Sequence, residues 1–375
     1  MSKLQNIGTS IFTTMSQIAN EYKAINLSQG FPNFPLDQKL KDIVIRWTQQ
    51  EIHQYLPMAG YPPLLEKIAQ LTLDSYKRKV NPSTDILITA GATQGIFATI
   101  QALVHANDEV IILDPSFDSY EPSVLLGKGK PIRLELNDDF TPNWEAIAAA
   151  MNSNTKMIIT NNPHNPTGKI WTENDFNQLE LLLDLYPNVI VLSDEVYEYI
   201  TFENKHISAH HRPKLWNRTV CVSSFGKSLH ITGWRIGYVV APESLMIEIK
   251  KVHQFLIFSI NSIAQYAIND YIDVVKVSKL GDFYQQKRDF FRNLMQETKF
   301  ELFPCEGTYF QVASYGHFSN ENDLDFARKL VTDFGVATIP LSPFYNQGKD
   351  VKCIRFCFAK DDDTLIKAAE RLLKL

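Results

Sequence analysis

The stretch from Lys156 to Gly168 reads KMIITNNPHNPTG, and the stretch from Val189 to Tyr197 reads VIVLSDEVY. In both, a run of apolar, mostly β-branched residues ends abruptly in polar residues. Such a run predicts a strand that is buried on both faces of a parallel sheet. Because ligands of open parallel sheets bind beyond the carboxyl ends of the strands, the polar residues that follow are the first candidates for a site.

Five more apolar runs of this kind lie before and after these two. Helical patterns with three- and four-residue apolar spacing separate them, which predicts an α/β fold with a doubly wound, mostly parallel seven-stranded sheet. The predicted strands are DILIT (85–89), EVIIL (109–113), PIRLEL (131–136), KMIIT (156–160), VIVLS (189–193), TVCVS (219–223) and RIGYVVA (235–241). The predicted helices include 93–104, 144–151 and 173–186.

The pattern changes after about residue 243, where a long helical region runs to about residue 298. Short strands and helices follow it, which predicts a second, smaller α+β domain. We expect the large domain to span 35–275 and the small domain to combine 1–34 with 276–375, with the long helix as the hinge between them.

Composition narrows the class of protein. The 375 residues are 45% hydrophobic and 21% charged, which is ordinary for a globular chain and excludes a disordered one. The net charge of −5 gives no excess of basic residues with which to bind nucleic acid. No apolar run has the length of a membrane span or the character of a signal peptide, so we expect a cytoplasmic protein. The four cysteines form no CxxC pair, so neither a metal site nor a disulfide framework is predicted.

The loops after the strands carry the candidate chemistry. Ala92 and Thr93 follow Gly91 at the start of a predicted helix, where backbone amides can bind a phosphate, although an ordinary tight turn has the same sequence. Arg235 could bind the same phosphate through two nitrogens of its planar guanidinium, or it could form a surface ion pair.

Lys227 lies in the loop Ser224-Phe225-Gly226-Lys227 between two apolar strands, where low dielectric lowers the pKa of a lysine and favours Schiff-base chemistry. Ser-x-x-Lys also occurs in serine acylases of the penicillin-binding kind, but those need a later Lys-Thr-Gly that this sequence lacks. Asp194 ends an apolar run and needs a cationic or hydrogen-bonding partner, such as a pyridinium nitrogen, unless it caps a helix.

Three further residues of these loops suit a flat heterocyclic ligand. Tyr197 and Asn165 could donate hydrogen bonds to a ring oxygen, and Phe117 could stack on the ring. The alternatives are a core position for Phe117 and a turn-forming role for Asn165.

Together, these motifs resemble the fold-type I pyridoxal-phosphate aminotransferases of class I/II. The resemblance covers nearly the whole chain, from Asn26 to Phe356, and within the family it is closest to the kynurenine/glutamine transaminases and bacterial methionine aminotransferases. The motifs that carry it are NPHNPTG (162–168), DEVY (194–197), SxxK (224–227) and GWRIGY (233–238), with GFPNFP (30–35), QYLPMAGYPPL (54–64) and DPSFDSYEP (114–122) for the closer group.

The resemblance implies pyridoxal 5'-phosphate as cofactor and Lys227 as the catalytic lysine that binds it covalently. Asp194 would hold the ring nitrogen, Tyr197 and Asn165 the ring hydroxyl, and Phe117 would stack on the ring. The phosphate would be bound by Ala92, Thr93, Ser224 and Arg235, and by Tyr55 from the second subunit of a homodimer with shared active sites.

The resemblance also implies the substrate side of the site. Arg355 would bind the substrate carboxylate, helped by Asn165 and the Gly30 amide. Independently, Arg355 in CIRFCFA lies opposite the apolar strand face of its neighbours, where it could bind a carboxylate or face solvent. The side-chain pocket would be lined by Phe12, Tyr55, Phe258 and Ser259, with Glu21 nearby.

These residues favour methionine, aromatic amino acids or glutamine as amino donors to a 2-oxo acid, because Glu21 would repel acidic side chains. Ser259 replaces a histidine of the glutamine-transaminating relatives, which favours methionine. The aromatic residues could instead form a small-domain core. A β-lyase acting on cysteine S-conjugates would use the same residues and is the alternative function. A ligand-sensing domain and a cofactor-independent lysine aldolase fit the combined motifs less well.

Overall fold

The computed structural model describes residues 2–5 and 7–375. In these residues, helices and strands alternate along most of the chain. The strands are β1 Ile25–Asn26, β2 Ile86–Thr89, β3 Glu109–Asp114, β4 Lys130–Glu135, β5 Thr155–Asn161, β6 Ile190–Asp194, β7 Thr219–Ser224, β8 Gly237–Val240, β9 Glu301–Leu302, β10 Phe310–Ser314, β11 Val336–Ala337, β12 Ile339–Pro340 and β13 Cys353–Cys357. The α-helices are α1 Ile11–Glu21, α2 Gln38–Thr48, α3 Pro62–Tyr76, α4 Ala92–Leu103, α5 Tyr120–Leu126, α6 Trp144–Ala150, α7 Glu173–Leu185, α8 Phe225–Ser228, α9 Glu243–Leu256, α10 Ser262–Ile272, α11 Leu280–Met295, α12 Asp323–Thr332 and α13 Asp362–Leu372.

Strands β2 to β8 form one seven-stranded sheet in the order β2-β8-β7-β6-β5-β3-β4. All neighbouring pairs are parallel except those that β8 makes, which are antiparallel to β2 and β7. The seven predicted strands and the mostly parallel sheet are therefore confirmed, with strand ends shifted by a few residues. A sequence pattern gives no direction for a strand, so the reversal of β8 could not be predicted from it.

Both faces of the large sheet are covered, which is why its inner strands are mostly apolar, whereas the edge strand β4 is only partly buried. Alternate residues such as Val110 and Ile112 pack toward α4, whereas Ile111 and Ile158 pack toward the opposite face with Leu179 of α7. All five of these side chains are fully buried. Helices on both faces of the sheet make the fold doubly wound.

Two smaller sheets lie beside the large one. Four antiparallel strands pair in the order β12-β13-β10-β9, and β1 pairs in parallel with β11. Helix α1 packs against this region, where Met15 shares a buried cluster with Val312 and Ala327. The domain limits at residues 35 and 275 stay a prediction.

The predicted long helical region after residue 243 is interrupted, so the prediction of one long helix is wrong. Helix α9 ends at Leu256, and Phe258 adopts a left-handed backbone with φ of 69°. Asn261 then caps α10, because its side chain accepts a hydrogen bond from the Ala264 amide over 2.8 Å. Asparagine favours a cap over a helix interior, which explains the break in an otherwise helical pattern. Among the described residues, no helix has the length and apolar content that crossing a membrane requires.

Candidate active site

A cleft of about 260 Å³ opens at the carboxyl edge of the large sheet. Strand register explains why this edge collects polar residues, since Asn161 at the end of β5 lies beside Asp194 at the end of β6. The reversed strand β8 begins at this edge, where Gly237 pairs with Ser224. The cleft is lined by Phe12, Gln29, Gly30, Ala92, Thr93, Ile96, Phe117, Asn161, Asn165, Asp194, Val196, Tyr197, Ser224, Lys227, Arg235, Phe310 and Arg355.

Lys227 lies in the one-turn helix α8 directly after β7, so the predicted loop is one turn of helix. Its Nζ donates a hydrogen bond to the Gly30 carbonyl over 3.1 Å and faces the rings of Tyr197 and Tyr309 at about 5.5 Å. Burial lowers the pKa of Lys227 to about 8, and the nearby guanidinium of Arg355 acts in the same direction. An amine with this pKa is partly unprotonated near neutral pH, as a nucleophile or general base must be.

Asp194 is almost fully buried and begins no helix, which excludes the helix-cap alternative. Its Oδ2 accepts a hydrogen bond from the Tyr120 hydroxyl over 2.6 Å, and its Oδ1 accepts one from the Val196 amide over 3.3 Å. Burial raises the pKa of Asp194 to about 6. A buried carboxylate with a raised pKa is stabilised by a cationic partner, and a protonated ring nitrogen in the cleft would be one.

The start of α4 and Arg235 form the candidate phosphate site. Gly91 precedes the helix with φ of 75°, and a Cβ on it would lie 2.6 Å from Nη2 of Arg235. Only glycine therefore lets the guanidinium approach the first amides of the helix, where an anion binds favourably. Arg235 forms no ion pair with any described residue, and its Nη1 donates to the Thr232 carbonyl over 3.0 Å. The surface ion-pair alternative is thus excluded for the described residues.

Arg355 lies on β13 and is fully buried, which excludes the solvent-facing alternative. Its Nη1 donates to Oδ1 of Asn165 over 2.7 Å and its Nη2 to the Ser28 carbonyl over 3.1 Å, while Nε has no partner among the described residues. The guanidinium lies 3.8 Å from the ring centroid of Phe310. Burial lowers the pKa of Arg355 to about 10, so it stays charged at neutral pH. A buried cation whose hydrogen-bonding partners are neutral is a strong candidate for binding a carboxylate.

Tyr197, Asn165 and Phe117 also line the cleft. Tyr197 is buried, and burial raises the pKa of its hydroxyl, which therefore stays protonated as a donor. The backbone N–H of Asn165 donates a hydrogen bond to Oδ1 of Asn161 over 2.8 Å, which fixes the position of Asn165. Phe117 is half-buried and faces the cleft, so it is not a core residue.

Four predicted site residues do not line this cleft. Tyr55 is 84% exposed and packs its ring edge-on against Phe258, which is also exposed. The Ser259 hydroxyl donates to the Leu56 carbonyl over 3.0 Å. Glu21 is exposed at the end of α1, nine residues beyond Phe12 and so about 13 Å along the helix axis. Their predicted roles in the substrate pocket and, for Tyr55, at the phosphate of a second subunit stay predictions.

Sequence reasoning missed several residues of the site. Asn161 could have been found, because it follows the same apolar run as Asn165. Tyr120 had a weaker signal, its position three residues after Phe117 in DPSFDSYEP. Phe310 had none, because its position beneath Arg355 depends on the pairing of β10 with β13.

Comparisons with known proteins identify this arrangement. The sequence profile of the family described as aminotransferase class I and II matches residues 22–372. Methionine aminotransferase of Escherichia coli is 44% identical, over 100% of this chain and 98% of the relative. Kynurenine–oxoglutarate transaminase of Dictyostelium discoideum is 32% identical, over 99% of this chain and 95% of the relative. A crystal structure of an E. coli protein described as having methionine aminotransferase function superposes with a TM-score of 0.97, covering 100% of this chain and 99% of that one.

Proposed function

The chain belongs to the class I and II aminotransferases, which depend on pyridoxal phosphate, and we propose that it moves the amino group of methionine to a 2-oxo acid, with aromatic amino acids and glutamine as further donors. Amino transfer follows from the family, and the choice of donor is our proposal. The observation that carries the proposed function is the buried Arg355 facing a cleft that is walled in part by apolar side chains.

The residues present fit the cofactor. A buried carboxylate at Asp194 suits a ring nitrogen, Tyr197 and Asn165 suit a ring hydroxyl, and Phe117 suits a ring face. The amides of Ala92 and Thr93, with Ser224 and Arg235, suit a phosphate group. When bound, the cofactor withdraws electrons from the Cα–H bond that is broken.

Lys227 supplies the proton transfer in this proposal. Its Nζ lies in the cleft on the Gly30 carbonyl, and its lowered pKa lets it take a proton from the substrate Cα and hold it on Nζ. A neutral carbonyl does not stabilise the protonated amine as strongly as a carboxylate would. The Gly30 contact therefore orients the amine without holding it in its protonated form.

Arg355 orients the substrate. Every amino acid and 2-oxo acid carries a carboxylate, and the paired nitrogens of a guanidinium bind one in a fixed geometry. The Arg355 guanidinium is fixed by the ring of Phe310 below it and by its hydrogen bond to Asn165. Substrates that enter in either half of the reaction would thus be held in the same way.

The donor preference rests on the walls of the cleft. Phe12, Ile96, Phe117 and Phe310 are apolar, and the lining cations are Lys227, Arg235 and Arg355, each of which has a role above. No cation of the lining is left to bind a side-chain carboxylate, which disfavours aspartate and glutamate. A methionine side chain is apolar and adapts to irregular aromatic walls.

A panel of twenty amino donors with one 2-oxo acid tests this proposal. We expect methionine to have the highest kcat/KM, followed by aromatic donors. Aspartate exceeding methionine would overturn the donor preference, and no transfer from any donor would overturn the function itself. The comparisons give no support to β-elimination on cysteine conjugates, so we do not propose it.

We also infer that the enzyme is a homodimer with shared sites. Tyr55 and Phe258 form an exposed aromatic pair, and Phe255, three residues before Phe258 in the chain, is 87% exposed, so a second copy of the chain would cover exposed apolar side chains. In such a dimer, the inactive variants Lys227→Ala and Tyr55→Ala should regain activity when mixed and exchanged, because one of the two sites is then intact. A monomer by light scattering that is fully active would contradict it. The cytoplasmic location stays a prediction, tested by fractionation.

A further inference from the structure

Tyr120 is a buried residue of the site that the resemblance does not assign. It begins α5, its side chain is 2% exposed, and its hydroxyl donates to Oδ2 of Asp194 over 2.6 Å. Among the described residues, this is the one side-chain hydrogen bond that the Asp194 carboxylate receives. The remaining contact, from the Val196 amide, is longer at 3.3 Å.

The ring of Tyr120 makes a second contact that bears on the cleft. It packs edge-on against Phe117, with ring centroids 5.7 Å apart and an interplanar angle of 76°. Tyr120 thus contacts both Phe117, which would stack on the cofactor ring, and Asp194, which would hold the ring nitrogen. Asp194 and Tyr120 are 74 residues apart in sequence, so the contact joins the start of α5 to the end of β6.

We propose that Tyr120 is a positioning residue for the cofactor, which fixes the Asp194 carboxylate through its hydroxyl and the Phe117 ring through its own ring. The inference rests on the proposed function, because it assigns the cleft to pyridoxal phosphate. A carboxylate without the Tyr120 bond could rotate about its side-chain torsions. Its oxygen would then no longer be directed at the cleft by a fixed partner.

The hydroxyl also bears on the charge of Asp194. The hydrogen bonds from Tyr120 and Val196 favour the charged carboxylate and lower the pKa of Asp194. The charge of Lys227 also lowers this pKa, whereas the charge of Glu195 raises it. Burial is the largest effect and raises the pKa of Asp194. Loss of the Tyr120 hydroxyl therefore moves this pKa further up, so that Asp194 is protonated at a higher pH.

The test compares Tyr120→Phe with Tyr76→Phe. The control residue Tyr76 is likewise buried, and its hydroxyl donates to a buried carboxylate, Glu198, which does not line the cleft as Asp194 does. The readouts are the dissociation constant of pyridoxal phosphate for the apoprotein, titrated by fluorescence, and the acidic limb of kcat/KM against pH.

For Tyr120→Phe we expect about 10-fold weaker cofactor binding or more, from loss of a hydrogen bond to a charged group. We also expect the acidic limb to move to higher pH, whereas Tyr76→Phe changes neither. Adding Tyr120→Phe to Asp194→Asn should weaken binding by less than 3-fold, since the hydroxyl then has no carboxylate to fix.

Unchanged affinity and an unchanged acidic limb in folded Tyr120→Phe would overturn the inference. A Tyr120→Phe protein that does not fold while Tyr76→Phe folds would also overturn it, because Tyr120 would then be structural. Failure of the wild-type apoprotein to bind pyridoxal phosphate would instead overturn the proposed function.

Discussion

Lys227 is joined to Gly30 by a hydrogen bond from its Nζ to the Gly30 carbonyl oxygen over 3.1 Å. The same oxygen accepts the Tyr309 hydroxyl over 2.7 Å. Lys227 and Gly30 are 197 positions apart, so the bond connects the loop after β1 with helix α8. The position of the amine is therefore set by a loop of the substrate side as well as by its own helix.

We expect Lys227→Ala to lose the visible absorbance of lysine-bound pyridoxal phosphate and to lower kcat by about 10³-fold or more, because nucleophile and general base are removed together. Absorbance spectra and steady-state rates measure the two effects. The exposed Lys214→Ala is the matched control and should change neither. A variant that keeps both the absorbance and the turnover would refute the role of Lys227.

The lowered pKa of Lys227 predicts a pH-dependent cost in stability for the apoprotein. With a folded pKa of about 8 against 10.5 for a free lysine, the unfolded chain binds the proton more tightly. This group therefore destabilises the fold fully below pH 8, and the penalty disappears between pH 8 and 10.5. Apo Lys227→Met should be more stable than wild type by about 1–3 kcal/mol at pH 7, with the difference lost by pH 10.5.

Denaturant unfolding of the two apoproteins at several pH values measures this difference. Lys214→Met, at an exposed position, should show no pH-dependent gain. Equal stabilities of wild type and Lys227→Met at pH 7 would show that burial of the amine has no energetic cost.

Arg355→Lys should raise KM for amino donors by about 10- to 100-fold while kcat falls less, because the carboxylate is bound equally in the ground and transition states. A lysine keeps the charge but lacks the planar fork that contacts Asn165 and Ser28. Exposed Arg328→Lys on α12 is the control. If kcat fell as much as kcat/KM with KM unchanged, Arg355 would not be a ground-state carboxylate ligand.

Gly91→Ala should weaken binding of pyridoxal phosphate and lower the free energy of unfolding by about 1–2 kcal/mol, since alanine is strained at φ of 75°. The new Cβ would also displace the Arg235 guanidinium from the start of α4. Gly233→Ala provides the control, because a Cβ there meets no atom within 4 Å. Cofactor titration and denaturant unfolding separate the two effects. Full affinity in Gly91→Ala would argue against a phosphate at this position.

Much of the fold follows from the sequence because buried parallel strands have a simple composition. Most of the predicted strands are short apolar runs, and a polar residue such as Asp194 marks the carboxyl end of its run. Local patterns do not give strand direction, so the reversal of β8 was missed. The break between α9 and α10 was missed because Phe258 and Asn261 lie in an otherwise helical pattern.

The site was predicted where one loop supplies a motif and was missed where two distant segments meet. Asn165, Asp194 and Lys227 each follow a strand and were expected at one edge. Tyr120 reaches Asp194 across 74 residues, and Phe310 reaches Arg355 through strand pairing, so neither contact leaves a periodic signal. Tyr55, Phe258 and Ser259 do not line the cleft, and their predicted roles stay predictions.

The position of Arg355 on β13 has a consequence for how the protein is made. The other charged groups of the cleft, Asp194, Lys227 and Arg235, lie at least 120 residues earlier in the chain. At about 5–20 residues per second, the ribosome needs roughly 6–24 s to add the intervening segment. For that time the nascent polypeptide carries the groups that suit the cofactor but not the guanidinium proposed to bind the substrate carboxylate, so during biosynthesis the means of binding substrate is acquired last.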